Sequence, residues 1–170
     1  MPSRNGLIGR NVEVLRQGEA LIRSLDAATY SRPIPGQRAT VGAHFRHGID
    51  FYERFFAGIG DRRVDYDRRR RDAAEETDPQ RALARIRRTV HSLRELRDIG
   101  TETPLLVRAE SGSDPERAWQ PSSVGRELQF LLSHTVHHFA IVALVLRSWG
   151  CAVPETFGVA PSTLESWSER

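Results

Sequence analysis

The residues with the clearest chemical potential are the histidines. There are six, and five fall in two short windows: His44 and His47 in one, His134, His137 and His138 in the other, with His91 standing apart. A neutral imidazole nitrogen is a common ligand for divalent metals. On a helix, residues four apart lie about 40° from one another, one above the other. His134 and His138 have that spacing, so both can reach one ion from a rigid support. Glu127, Phe130, Leu131, Ile141 and Val145 fall on the same side, the side expected to face a core. His137 lies about 60° to the other flank of His134.

The other window must supply the remaining ligand. His44 and His47 are three residues apart. Gly48, Phe51 and Phe55 surround the direction of His44, whereas His47 lies at the edge of that face beside Phe51. Periodicity therefore prefers His44 as the inward residue. One histidine from here and the pair at 134 and 138 would leave open positions on an ion, which is a catalytic rather than a structural type of site. Without a metal, the same histidines would bond to one another or to carbonyls. His91 falls away from the apolar stripe of its own segment and reads as a surface histidine.

Other catalytic patterns are absent. Thr135 stands where an HExxH protease motif needs its glutamate. No GxSxG, Walker loop or GxGxxG occurs. Ser133 and His134 are adjacent and so point about 100° apart on a helix. Cys151, the one cysteine, excludes an intrachain disulfide and a cysteine-rich zinc site. It follows a predicted helix C-terminus, where the dipole disfavours a thiolate.

Four helical segments would position these groups. They are expected near 7–25, 40–57, 78–98 and 122–149. In the first, Val14, Leu15, Leu21, Ile22 and Leu25 form a stripe of period 3.6. The second carries Val41, Phe45, Ile49, Phe51, Tyr52, Phe55 and Phe56 behind a Thr40 cap. The third repeats Leu83, Ile86, Val90, Leu93 and Leu96, with arginines on the other face. The fourth starts near Pro121-Ser122-Ser123 and stops at Gly150.

Between them, 26–38 reads as a loop broken by Pro33, Pro35 and Gly36. Residues 61–77 read as a polar connection with at most a helical turn. Residues 101–120 read as a small hairpin or an irregular loop, long enough to serve a site or an interface. The tail at 151–170 is expected to pack on the bundle, with a short turn at 164–167 capped by Ser162. The expected fold is all-α, an up-down four-helix bundle with long connections, formed as a single domain over 1–170.

Composition bounds the function class. Hydrophobic residues make up 39% and charged residues 28%, which suits a globular domain. The 25 basic residues are all arginine, and against 22 acids they leave a net charge of only +3. The run Arg68–Arg71 is flanked by Asp65, Asp67, Asp72, Glu75 and Glu76. A steady basic stripe with stacking aromatics is missing, so no nucleic-acid partner is expected. The longest apolar run, Phe139–Leu146, has eight residues, and no membrane span is expected. The start MPSRNGLIGRN lacks the apolar core of a signal peptide, so a cytoplasmic location is the default expectation. Trp119, Trp149 and Trp167 are candidates for an exposed surface that pairs two copies as a homodimer.

The segments TVGAHFRHGIDFYERFF at 40–56 and LLSHTVHHFAIVALVLRSWG at 131–150, with the tail VPETFGVAPSTL at 153–164, resemble the DinB/YfiT-like superfamily of metal-binding four-helix bundles. The resemblance covers nearly the whole chain, although its motifs are short. It implies metal ligation by His134 and His138 and, from the second helix, by the latter histidine of HFRH, His47. That departs from the periodicity preference for His44. His44, His137 and Glu127 are left as candidates for moving a proton or orienting a ligand. The resemblance further implies a divalent ion, whether zinc, nickel, iron or manganese. It implies thiol S-transferase chemistry with a low-molecular-weight thiol, while a metal that lowers the pKa of bound water would equally suit a hydrolase acting on a small molecule. The alternative is a non-catalytic metal-binding or dimerising protein. A DNA-damage role is suggested by the family name alone.

Overall fold

The computed structural model describes residues 6–68, 72–96, 99–109 and 119–169. Four long helices share one core: α1 (Leu7–Ser24), α3 (Val41–Ile59), α4 (Pro79–Glu95) and α5 (Val124–Ser148). Helices α1 and α3 each pack against both α4 and α5. Two short helices complete the helical set among the described residues, α2 (Ala27–Ser31) and α6 (Pro161–Ser168). The fold is mostly helical.

Local chemistry sets most helix boundaries. Thr40 Oγ1 accepts from the Ala43 amide at 2.9 Å and starts α3. The Asp78 carboxylate caps α4 ahead of Pro79, whose fixed φ suits the first helical turn. Ser123 Oγ accepts from the Arg126 amide and starts α5. Gly150 follows α5 with φ of 77°, a left-handed conformation that ends a helix at little cost.

Two expectations for the connections are corrected. The segment 26–38 is not all loop: Asp26 accepts from the Thr29 amide at 2.6 Å and caps α2, which buries Tyr30 against Phe45. Nor is 61–77 a polar connection with at most a helical turn, since it holds a strand. β1 (Arg63–Asp65) pairs in parallel with β2 (Pro104–Arg108), which pairs antiparallel with β3 (Gln120–Ser123). The small sheet buries Val64 and Leu105. Strands of three to five residues are too short to show alternation. The expected hairpin over 101–120 exists as β2 and β3, but 110–118 lie outside the described residues. So do Arg97 and Asp98, the expected end of the third helix. A 3-10 turn, Ala73–Glu76, lies in the predicted polar connection. The last helix is longer than the expected turn and begins at Pro161, with no side-chain cap.

Helix α5 is long and apolar enough by length and composition to cross a membrane. Here Leu128, Leu131, Phe139, Val142 and Leu146 of this helix are buried in the shared core. Such burial gives each large apolar side chain about 1.5–3 kcal/mol. The tail also docks on α5. Phe157 stacks on Phe139 with centroids 4.8 Å apart. Gly158, with φ of 75°, lets the chain come so close that a Cβ there would lie 2.6 Å from the Ala140 backbone nitrogen.

Two polar networks hold the helices in register. Tyr52 of α3 donates to Asn11 Oδ1 of α1 at 2.6 Å, and Asn11 Nδ2 donates to the Leu128 carbonyl of α5 at 3.0 Å. Thr135 Oγ1 lies 3.3 Å from the Tyr52 hydroxyl and bonds the Leu131 carbonyl at 2.7 Å. Three helices thus meet at groups buried away from water, where a lost partner costs about 1–3 kcal/mol. The second network joins α3 to α4. Buried Arg85 pairs with Asp50 at 2.7 Å, with Glu53 at 2.7 Å and with Glu75. Arg46 adds bonds to Asp50 at 2.6 Å and Glu76 at 2.9 Å.

Candidate metal centre

Helices α3 and α5 run antiparallel through the site: His44 meets His138, His47 meets His138 and His134, and Phe51 meets His134 and Phe130. This register brings His47, His134 and His138 together, with one ligand atom from each lying within 4.8 Å of the others. All three are half-buried, so the cluster is fixed by packing yet reaches solvent. The Nε2 atoms of His134 and His138 are 3.1 Å apart.

That separation suits a shared ion. Two nitrogens each about 2.05 Å from one metal stand about 2.9 Å apart at a right angle and about 3.4 Å apart at the tetrahedral angle. The observed value falls between these limits. It also fits an N–H···N bond between the two rings when no ion is held.

His44 does not supply the third member. It lies beside the cluster, with its Nδ1 2.9 Å from His138 Nδ1. The periodicity preference for His44 is therefore corrected, and the residue implied by the resemblance, His47, is the one gathered with the pair. The physical reason is axial. His44 sits nearly one turn earlier on α3 and contacts His138, whereas His47 lies between His138 and His134, with ring centroids 4.5 Å and 5.0 Å away. Periodicity on one helix cannot show the height of the neighbouring helix. Burial lowers the pKa of His44 below the usual histidine range, and the charge of His137 lowers it further.

The other candidates are more distant. His137 is exposed, with its ring centroid 5.3 Å from that of His138. Glu127 is buried and accepts hydrogen bonds from the Tyr66 hydroxyl at 2.8 Å and from Ser122 Oγ. Burial, and then the Glu127 charge, push the Tyr66 phenol well above its usual range, so it remains a donor. His91 is exposed, as expected.

One flank of the cluster is aromatic. The Phe51 ring centroid lies 4.2 Å from that of His134, and Phe130 stacks on His134 at 5.5 Å. Both phenylalanines also touch Tyr66. The sequence reading missed Tyr66, which follows β1 in a segment that shows no pattern of its own. Phe51 and Phe130 were visible as apolar positions near the histidines.

A cavity of about 720 Å³ lies away from the histidines. It is bounded by Gln17, Leu21 and Ser24 of α1 and by Val153, Pro154 and Phe157 of the tail. The tryptophans are less available than expected. Arg32 covers the Trp149 ring at 4.4 Å, and Arg63 covers Trp119 at the same distance. Trp167 is exposed, as is Leu144 of α5.

Comparison with known proteins agrees with this architecture. A family model described as the DinB superfamily matches residues 12–142, which include every histidine of the cluster. The chain belongs to the DinB superfamily. It is also similar to FK506-binding protein 5 of Rhizopus delemar, with 35% identity over 103 residues. That match covers 60% of this chain but only 27% of the fungal protein, so the chain spans about a quarter of that relative's length. No solved structure matches the chain.

Proposed function

We propose that this member of the DinB superfamily is a divalent-metal-dependent enzyme acting on a small molecule, by hydrolysis or by thiol S-transfer. The observation that carries the reading is the cluster of His47, His134 and His138, three half-buried imidazoles within reach of one ion. His134 and His138 would hold the ion from α5 and His47 from α3. Of the ions considered, zinc, nickel and iron suit imidazole nitrogens, and manganese suits them least. When bound, such an ion supplies Lewis acidity, bringing the pKa of a water or a thiol toward neutrality.

The chain's own residues do the rest. Three protein ligands leave room for a substrate. Phe51 and Phe130 wall one side of His134 and keep water from that flank. His137, exposed beside His138, is placed to exchange a proton with solvent. Glu127 is engaged by Tyr66 and Ser122, so its role in this reading is to anchor the start of α5. The reading takes the fold as an up-down four-helix bundle and the protein as a cytoplasmic homodimer. It invokes neither nucleic acid nor a membrane. The FK506 binding in the relative's name is not carried over, because the match covers a minor part of that protein.

A non-catalytic metal-binding or interaction role is the second reading. It is favoured by the position of the 720 Å³ cavity, which no histidine lines. One experiment tests the shared premise. Untagged native protein is analysed for metals by elemental mass spectrometry, beside His47→Ala and His134→Ala. About one ion per chain, lost in both variants, is the expected result. No stoichiometric ion, even after anaerobic reconstitution with zinc, nickel, iron and manganese, would sink both metal-based readings.

A further inference from the structure

His44 is the one histidine near the cluster that the proposed ligand set leaves without a role. Its Nδ1 lies 2.9 Å from Nδ1 of His138. Its Nε2 is buried and has no hydrogen-bond partner among the described residues. His138 therefore has both ring nitrogens engaged, Nδ1 with His44 and Nε2 toward His134.

Proton bookkeeping decides what this pairing can do. Two imidazole nitrogens at hydrogen-bond distance share one proton. If His44 Nδ1 carries it, the proton of neutral His138 sits on Nε2 and points at His134. No lone pair is then free for an ion. If His138 Nδ1 carries it, His138 Nε2 presents its lone pair to the cluster. His44 then accepts at Nδ1 and keeps its own proton on the buried Nε2. Metal-binding imidazoles generally donate their second N–H to such a partner, which fixes tautomer and ring orientation. His138 is in mid-helix, and in this structure its Nδ1 partner is supplied by the neighbouring helix.

We propose that His44 is a positioning residue: it accepts the Nδ1 proton of His138 and so turns the Nε2 lone pair of His138 toward His47 and His134. The HFRH segment thereby serves the site twice, His47 contributing a ligand and His44 orienting the ligand opposite it. This rests on the metal-site reading above.

The test uses the full chain and zinc alone. Zinc affinity is measured by competition with a chelating dye for wild type, His44→Leu, His44→Asn, His44→Gln and His47→Ala. Circular dichroism melting of the metal-free proteins checks the fold. In parallel, ¹⁵N spectra of the zinc-loaded wild type report which nitrogen of His138 bears the proton. The expected result is a 10- to 100-fold loss of affinity in His44→Leu, a size typical of such partners. Recovery to within a few fold is expected in the amide variant whose oxygen reaches His138 Nδ1. Zinc-loaded His138 should be the Nδ1–H tautomer. Wild-type affinity in His44→Leu, or an Nε2–H tautomer in the loaded protein, overturns the role of His44. If wild type binds zinc no better than His47→Ala, the metal site fails and this inference with it. If wild type binds and His47→Ala does not, while His44→Leu is unaffected, only the positioning role fails.

Discussion

Arg85→Met tests whether α3 and α4 are held by a single buried cation. Arg85 is 4% exposed and Asp50 only 3%, and their side chains meet at 2.7 Å. Burial lowers the guanidinium pKa, but the hydrogen bonds and charges of Glu53, Asp50 and Glu75 outweigh it, so the group stays cationic. Methionine fills similar space without charge. Glu53 is 43% exposed and can turn to water. Asp50 cannot; it keeps Arg46 alone, at 2.6 Å. Removing one member of a buried pair costs about 3–5 kcal/mol, and the surviving Arg46 bond puts this case near 3. For a chain of 170 residues the unfolding entropy is about 0.36 kcal/mol per kelvin, so the melting point should drop by about 8 °C. Urea denaturation followed by circular dichroism gives the free energy. Asp50→Asn combined with Arg85→Met should recover at least a third of the loss, because the most deeply buried charge left by Arg85 is then removed, while Arg46 keeps Glu76 and Glu75, 20% exposed, can reach water. A single-variant cost under 1 kcal/mol, or a double variant as unstable as the single, would refute the reasoning.

Two further perturbations address the packing behind the site. Gly18→Ala adds a Cβ 2.5 Å from Cζ of Phe139, a ring already fixed by Phe157. Overpacking of about 1–3 kcal/mol should exceed the helix-propensity gain of about 1 kcal/mol, for a net loss near 1 kcal/mol in urea denaturation; a stabilised variant would show that the ring yields. Glu19 on α1 receives Arg16 at 2.6 Å, Arg87 at 2.9 Å and Arg23 at 3.0 Å. Burial raises its pKa, but the hydrogen bonds from Arg87, Arg23 and Arg16 prevail and hold it at about 2. Since this folded value lies below the unfolded one of 4.5, the stabilisation is complete above pH 4.5 and fades as pH falls toward 2. Allowing for screening of the half-exposed arginines, Glu19→Gln should cost about 1 kcal/mol at pH 7 and almost nothing near pH 2; an equal cost at both would deny the ion-pair origin.

What the sequence discloses here is what depends on neighbours along the chain. Thr40, Asp78 and Ser123 cap the helices they precede because an N-cap bond spans only two or three residues. The HxxxH pair is legible for the same reason, since one helical turn sets its geometry. Whatever depends on a second element is hidden. The parallel pairing of β1 with β2 joins Val64 to Val107, far apart in sequence, through strands of three and five residues. Arg85 reads as one more arginine on a basic face, and only the approach of α3 turns it into a buried cation.

The choice between His44 and His47 belongs to this hidden class, and it shows how the scaffold makes the chemistry. The two residues are about 60° apart around α3, within the uncertainty of any helical phase read from apolar positions. What separates them is height: α5 must be placed so that His47 falls between His134 and His138 while His44 meets His138. Tyr52 sets that height. It is five residues beyond His47 and reaches both Asn11 of α1 and Thr135, the neighbour of His134. A shift of α3 by one turn would leave the buried hydroxyl and amide without partners, at about 1–3 kcal/mol each. β3 runs directly into α5 and anchors its first turn through Ser123 and the Ser122–Glu127 bond. The histidines carry the chemistry, but a tyrosine, an asparagine and a short sheet place His47 between His134 and His138 and leave His44 to pair with His138.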